Sequence, residues 1–408
     1  MSLKERLNGK LNYVIPLFLF PVVATFGHAI APNESVLFGR DWGVIGAFIF
    51  ALLTFALWLP QKKVAGSWHR TQLCFFWILI TAWLFQSISA HLDSRGFNTS
   101  AILFPFAIWI LMAKKPSSKM LHQAFIWFLY SLVTISLLAF VLGMTDVMPN
   151  GFNFPDSAAN RLPVLNDLFG VTTRWAGPFG SVNLAAPIGA LLFVAGFTLK
   201  GINRVVIVSG GLGVLTLSQG RTSLAAALLA LTVLLAYSKT VQNHRYAKQV
   251  RLGAGLITVS SLMLYIVLID PTLNGRTPVW NNFLRLFTQD PLFGIGTSGL
   301  EGYLAAGVTR SEVVLYSHGH NVLIDISVRY GIFLVILTIA AFTIAAIISW
   351  RARAQDSGKT LALIVFFFTA GLAETIFSWQ YFSAYTVVFI YVVTVSDQIS
   401  AKKKILTR

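Results

Sequence analysis

Apolar runs recur along the whole chain, separated by short polar or charged stretches. A helix needs about 20 apolar residues to cross the hydrocarbon core of a bilayer. Runs of roughly that kind lie at 11–31, 42–60, 72–90, 100–113, 121–143 and 185–199, and again at 205–219, 222–238, 252–270, 322–350, 361–377 and 381–396. The pattern predicts an all-α, polytopic membrane protein with about 12 spans, forming a single integral membrane domain over residues 1–408. Trp350 and Trp379 fall at span ends, where interfacial aromatics gather. The sizeable stretches between spans are 144–183 and 271–320.

Composition agrees with the pattern. Hydrophobic residues make up 56% of the chain and charged residues only 11%, against about 25% charged in a soluble domain. A single cysteine, Cys74, excludes a disulfide framework and a thiolate cluster. The net charge of +16 would suggest nucleic acid on a soluble protein. Here no nucleic-acid partner is expected, because the cations alternate from loop to loop. One side collects 22 Lys and Arg residues, at the N-terminus, in every second loop and in the C-terminal tail. The other side holds Arg40, Arg95, Arg161, Arg174, Arg221, Arg276, Arg285 and Arg310, and Arg329 falls inside a span. That bias places both termini in the cytoplasm and the loops 144–183 and 271–320 on the outer face. The basic start and Ala29-Ile30-Ala31 mimic a signal peptide. The apolar run between them is longer than such peptides use, which predicts an uncleaved first helix.

The cytoplasmic loops are short and carry no nucleotide-binding fingerprint, so chemistry is expected at the outer face. In the loop 271–320, Asn274-Gly275 signals a turn and Pro278 suits a helix start. Trp280, Phe283, Leu284 and Phe287 then recur at i, i+3, i+4, i+7, predicting an amphipathic helix along the membrane surface. Arg276 stands at its N-terminal edge. A cation there is misplaced unless an anion or a carboxylate joins it. Arg221 follows an abrupt turn, Leu217-Ser218-Gln219-Gly220, at the outer boundary. Each arginine reads either as an anion contact or as a snorkelling or carboxylate-paired side chain.

Ser317-His318-Gly319-His320-Asn321 offers two histidines, but no carboxylate cluster at fixed spacing completes a metal site. A general base is the functional reading, since His titrates near neutral pH; a hydrogen-bonding loop histidine is the structural one. Asp325 and Arg329, at i, i+4, read as a structural pair, and Glu374 is a further ionisable residue at a span. In the loop 144–183, Arg161 and Arg174 precede Gly177-Pro178-Phe179-Gly180, a turn that brings backbone close to something.

Taken in order, these pieces resemble the O-antigen ligase and polymerase superfamily. They are Arg174 with Gly-Pro-Phe-Gly and Asn183, Ser218-Gln219-Gly220-Arg221-Thr222-Ser223, Gly275-Arg276 through Gly294-Ile295-Gly296, and His320-Asn321-Val322-Leu323 leading to Tyr330-Gly331. They cover residues 161–331, and the span count is compatible over the whole chain. The chain is most like the lipopolysaccharide O-antigen ligases. The resemblance implies a periplasmic site in a bacterial inner membrane and an undecaprenyl-pyrophosphate-linked glycan as donor. It also implies a sugar hydroxyl of lipid A-core as acceptor. No cofactor or metal is expected, since two arginines can do electrostatically what a metal ion often does. Arg221 and Arg276 would bind the donor pyrophosphate and His320 would be the essential histidine. His318, Asn321, Arg161 and Arg174 are further candidates. Leu323 and Ile324 stand where a bulkier polar or aromatic residue is expected, which bears on acceptor contacts.

The chemistry is consistent with the composition. Pyrophosphate leaves with its charge spread, so it needs cations more than a proton, and arginine forks supply them. Direct attack would invert the anomeric centre. A polymerase or a protein oligosaccharyltransferase of the same superfamily would share the donor and differ in acceptor. A transporter or lipid flippase is the alternative from another class, with Gly210–Gly213 and Glu374 as its features.

Overall fold

The computed structural model describes residues 70–92, 118–144, 162–170, 172–179, 181–238, 245–269, 276–296, 300, 319–374, 376 and 384–406. The expected spans at 11–31, 42–60 and 100–113 lie outside them. Regular structure among the described residues is helical, with no strand. In chain order it runs α1 (Arg70–Leu92), α2 (Ser118–Met144), α3 (Pro163–Phe169), a 3-10 turn at Gly177–Phe179, α4 (Val182–Thr198), α5 (Gly201–Ser218) and α6 (Arg221–Ala236). It continues with α7 (Arg245–Ile269), α8 (Arg276–Phe287), α9 (Val322–Ala352), α10 (Lys359–Gly371) and α11 (Ala384–Leu406). Among these, α5, α9 and Leu121–Gly143 within α2 are long and apolar enough to cross a membrane. Leu73–Gln86, α4, α6, α10 and Val387–Ile399 are apolar but shorter. The described residues are thus all-helical, with segments long and apolar enough to cross a membrane.

The fold divides into two compact units, Met1–Ser67 with Phe106–Ala227 and Trp68–Pro105 with Leu228–Arg408. In the first, α4 and α5 pack backbone against backbone because glycines line the seam. A Cβ at Gly189 would stand 2.6 Å from the Leu215 nitrogen, and one at Gly211 2.4 Å from the Phe193 nitrogen. Small residues at such a seam let helices approach without a hydrophobic driving force between them. The C-terminal turn of α5 is clamped by the segment before the 3-10 turn. Trp175 N donates to Leu217 O at 3.0 Å, and Arg174 Nε donates to Ser218 O at 2.9 Å.

In the second unit α9 is central, packing on α1, α8, α10 and α11. At 31 residues it would run about 46 Å if unbroken, longer than the hydrocarbon core of about 30 Å. It breaks at Gly331, whose φ of 72° and ψ of −175° are not helical. The freed backbone groups are taken up by the segment after α8: Ile332 N donates to Pro291 O at 2.9 Å and Ile295 N to Val328 O at 2.8 Å. This satisfies polar backbone that lipid could not. Phe293, stacked at 6.2 Å on Phe333 and at 6.4 Å on Phe85, fixes the segment further.

Candidate active site

The predicted amphipathic helix forms as α8, with its buried face one step away from the expected stripe. Arg276, Val279, Phe283 and Leu286 are buried, whereas Leu284 is 47% exposed. The packing partner sets the register: Val279, Phe283 and Leu286 close on Leu300 and Val328, with Phe287, Ile295 and Ile324 around them. The consequence is that Arg276, at the first position of α8, points inward.

The histidine loop is built against this helix. Trp280 Nε1 donates to Gly319 O at 2.9 Å, and Gly319 N donates to Asp325 Oδ1 at 2.8 Å. A Cβ at Gly319 would stand 3.1 Å from the Phe283 ring and 3.2 Å from Asp325 N, so the loop packs tightly here and a larger residue would require the ring or the backbone to give by a few tenths of an ångström. Asn321 caps α9: its Oδ1 accepts from Leu323 N at 2.9 Å and Ile324 N at 3.1 Å, while Nδ2 donates to Leu372 O at 2.9 Å. Between these anchors His320 is held at φ 48°. A non-glycine residue in the left-handed region costs about 1–3 kcal/mol and persists only where its surroundings over-determine it, as they do at many functional sites.

Glu374, just past the end of α10, completes the cluster. Its Oε1 accepts a hydrogen bond from Arg276 NH2, and its Oε2 lies 3.3 Å from His320 Nδ1. Arg276, His320 and Glu374 are 8%, 7% and 5% exposed. Glu374 thus supplies the carboxylate that an arginine at a helix N-terminus requires. An ionised carboxylate can only accept, so Nδ1 carries the hydrogen in this pair and the lone pair of a neutral ring resides on Nε2. Asp325 and Arg329 form the expected i, i+4 pair at 3.1 Å. Asp325 does more than pair, since it also holds Gly319 N.

Other sequence candidates play different parts. Asn321 positions rather than presents a polar group. Arg174 is buried and grips the end of α5, which stabilises the turn that launches Arg221. That turn needs a left-handed Gln219, at φ 53°. Arg221 itself is exposed, at the first position of α6. It belongs to the first unit, whereas Arg276, His320 and Glu374 belong to the second. Arg161 and His318 lie outside the described residues. Among the described residues no three His, Cys, Asp or Glu side chains gather as a metal site would need. Glu374 was visible in the sequence only as an ionisable residue at a span, with nothing nearby to pair it.

An apolar cavity of about 570 Å³ lies between α9 and α10, lined by Val322, Leu323, Phe342, Phe367, Gly371 and Leu372 among others. Leu323, unusual for the resembled pattern, is part of this hydrocarbon wall. Comparison with family models and with curated proteins found no match.

Proposed function

We propose that this chain is an O-antigen ligase: a metal-independent, inverting glycosyltransferase that moves a glycan from undecaprenyl pyrophosphate to a sugar hydroxyl of lipid A-core. In this reading about twelve spans cross the inner membrane with both termini in the cytoplasm, and the site faces the periplasm. The observation that carries the proposal is the buried cluster of Arg276, Glu374 and His320, a phosphate-binding cation and an oriented base sharing one carboxylate. The apolar cavity beside Leu323 and Leu372 suits a substrate with a hydrocarbon tail.

The roles follow from charge and geometry. The acceptor oxygen attacks the anomeric carbon, and its proton passes to His320 Nε2. The bond from that carbon to the pyrophosphate oxygen breaks, leaving its electron pair on the phosphate. Arg276 stabilises the charge that develops there, and the resemblance adds Arg221 as a second cation. Undecaprenyl pyrophosphate leaves, and the imidazolium returns its proton to water. Base assistance of this kind is typically worth about 10²–10⁴-fold in rate.

The test is transfer by the purified protein from a polyprenyl-pyrophosphate glycan to rough lipopolysaccharide in EDTA, for wild type and His320→Ala. Ligated, anomerically inverted lipopolysaccharide from wild type only is the expected result. Elongated carrier-linked glycan instead would make the protein a polymerase, and glycosylated protein would make it an oligosaccharyltransferase. If folded wild type forms none of these products, with this acceptor or with another, the enzyme reading is overturned and the transporter alternative stands.

A further inference from the structure

We infer that Glu374 is a displaceable counter-ion: a pyrophosphate competes with its carboxylate for Arg276 and, on winning, hands Glu374 to His320. This rests on the reading of Arg276 as a donor-binding cation. It makes donor binding and activation of the base one event.

Four observations point to the exchange. First, one carboxylate serves both partners. Oε1 accepts from Arg276 NH2, while Oε2 stands 3.3 Å from His320 Nδ1, long for a charge-assisted bond. Second, the contact of Arg276 to Glu374 uses one guanidinium nitrogen, NH2. A guanidinium has five donors in a fork that matches phosphate, so an incoming anion can engage before Glu374 departs. Third, all three side chains are buried. A phosphate and a carboxylate cannot crowd one cation there without strong repulsion at low dielectric, so one must yield. Fourth, Glu374 stands beyond the end of α10 at Gly371, and the exchange assigns the movement to its side chain. His320 is fixed between a doubly held Gly319 and the Asn321 cap, and Arg276 is anchored in α8.

Once Arg276 is compensated by phosphate, the carboxylate's charge acts on the imidazole. The Nδ1–H to Oε2 bond shortens, and Nε2 becomes a readier proton acceptor. No proton moves in the exchange itself. Among the described residues, Asp325 is already engaged by Arg329 and Gly319.

The experiment is calorimetric titration of the purified full-length protein in detergent with farnesyl pyrophosphate and, separately, inorganic pyrophosphate. It compares wild type, Glu374→Gln and Glu374→Asp. Gln removes the competing charge at constant size, and Asp keeps the charge. Glu374→Gln is expected to bind farnesyl pyrophosphate about tenfold or more tightly than wild type, the scale of a lost charged hydrogen bond, and Glu374→Asp to gain less than Glu374→Gln. An equal gain for inorganic pyrophosphate assigns recognition to the phosphates, and a gain for the farnesyl probe alone assigns it to the lipid-linked form. Unchanged or weaker binding by Glu374→Gln, or no binding by any protein, overturns the exchange. An infrared difference spectrum of the wild type gives an answer independent of variant folding. Probe binding should shift a carboxylate stretch, and its absence also overturns the proposal. Tighter binding without transfer by wild type would leave the exchange standing and remove the glycosyltransferase reading. Transfer with no gain in affinity would do the reverse.

Discussion

Replacing Gly331 with alanine tests how the break in α9 is held. The residue sits at φ 72° and ψ −175°, a backbone region that is essentially glycine-only. An added Cβ would stand 2.1 Å from Leu292 O, 2.3 Å from Leu292 C and 2.5 Å from Phe293 N. These are backbone atoms, so no side chain can swing aside. They are also pinned, because the segment donates to and accepts from α9 through Ile295 N and Pro291 O. Two costs add: about 1–3 kcal/mol of backbone strain and about 1–3 kcal/mol of overpacking. The expected loss is therefore about 2–6 kcal/mol. Relief would require residues 290–296 to lift away, unstacking Phe293 from Phe85 and Phe333. Gly213→Ala is the matched control, since nothing lies within 4 Å of its Cβ position in the interior of α5. Alanine there should be neutral or stabilising by up to about 1 kcal/mol. Thermal unfolding in detergent, followed by tryptophan fluorescence, reads both. A Gly331→Ala protein melting within about 1 °C of wild type would refute the argument, because a loss of about 2–6 kcal/mol moves the midpoint by roughly 2–7 °C in a chain of 408 residues.

Two further outcomes are expected. Trp280→Phe removes the hydrogen bond to Gly319 O at 2.9 Å but keeps most of the ring's packing, so stability should fall by about 1 kcal/mol. Transfer should fall roughly tenfold or more as His320 loses a support; equal transfer by wild type and variant would show that this bond does not position the histidine. Asp356, in the turn between α9 and α10, caps α10 by accepting from Gly358 N at 2.9 Å and Thr360 N at 3.0 Å. Burial still raises its carboxyl above the usual range, against the opposing Thr360 and Gly358 hydrogen bonds and the Lys359 charge. A raised carboxyl binds its proton more firmly folded than unfolded, so this contribution to stability is present at low pH. It is lost as pH rises from the ordinary carboxylate range through the raised value, and Asp356→Asn should flatten that part of the melting-temperature profile; identical pH profiles would contradict it.

The helical, membrane-crossing character was legible from run length alone, because a bilayer imposes one dominant constraint on composition. The existence of α8 was legible for a similar reason, yet its buried face was not. Hydropathy chose Trp280, Phe283, Leu284 and Phe287, while packing against Leu300 and Val328 chose Arg276, Val279, Phe283 and Leu286. A moment calculated from one helix cannot know where its neighbour lies. The break at Gly331 was similarly hidden inside an unbroken apolar run. Only the pairing of Pro291 and Ile295 with α9 gives Gly331 its meaning, and that pairing joins residues more than thirty positions apart.

The candidate site shows the same division more sharply. Arg276 and His320 announced themselves by local anomaly, a cation at a helix N-terminus and a histidine in a glycine turn. Glu374 did not, because its importance comes from partners 98 and 54 residues away. Electrostatics had already required a carboxylate or an anion at Arg276. The fold answers with a carboxylate, which on its own would favour a structural arginine. The same carboxylate reaches His320, held at φ 48° by bonds to both neighbouring residues, and a purely structural ion pair needs no strained histidine. The structural and functional readings of Arg276 therefore describe two occupants of one cation, Glu374 and a phosphate. What separates them is whether removing the first strengthens the second.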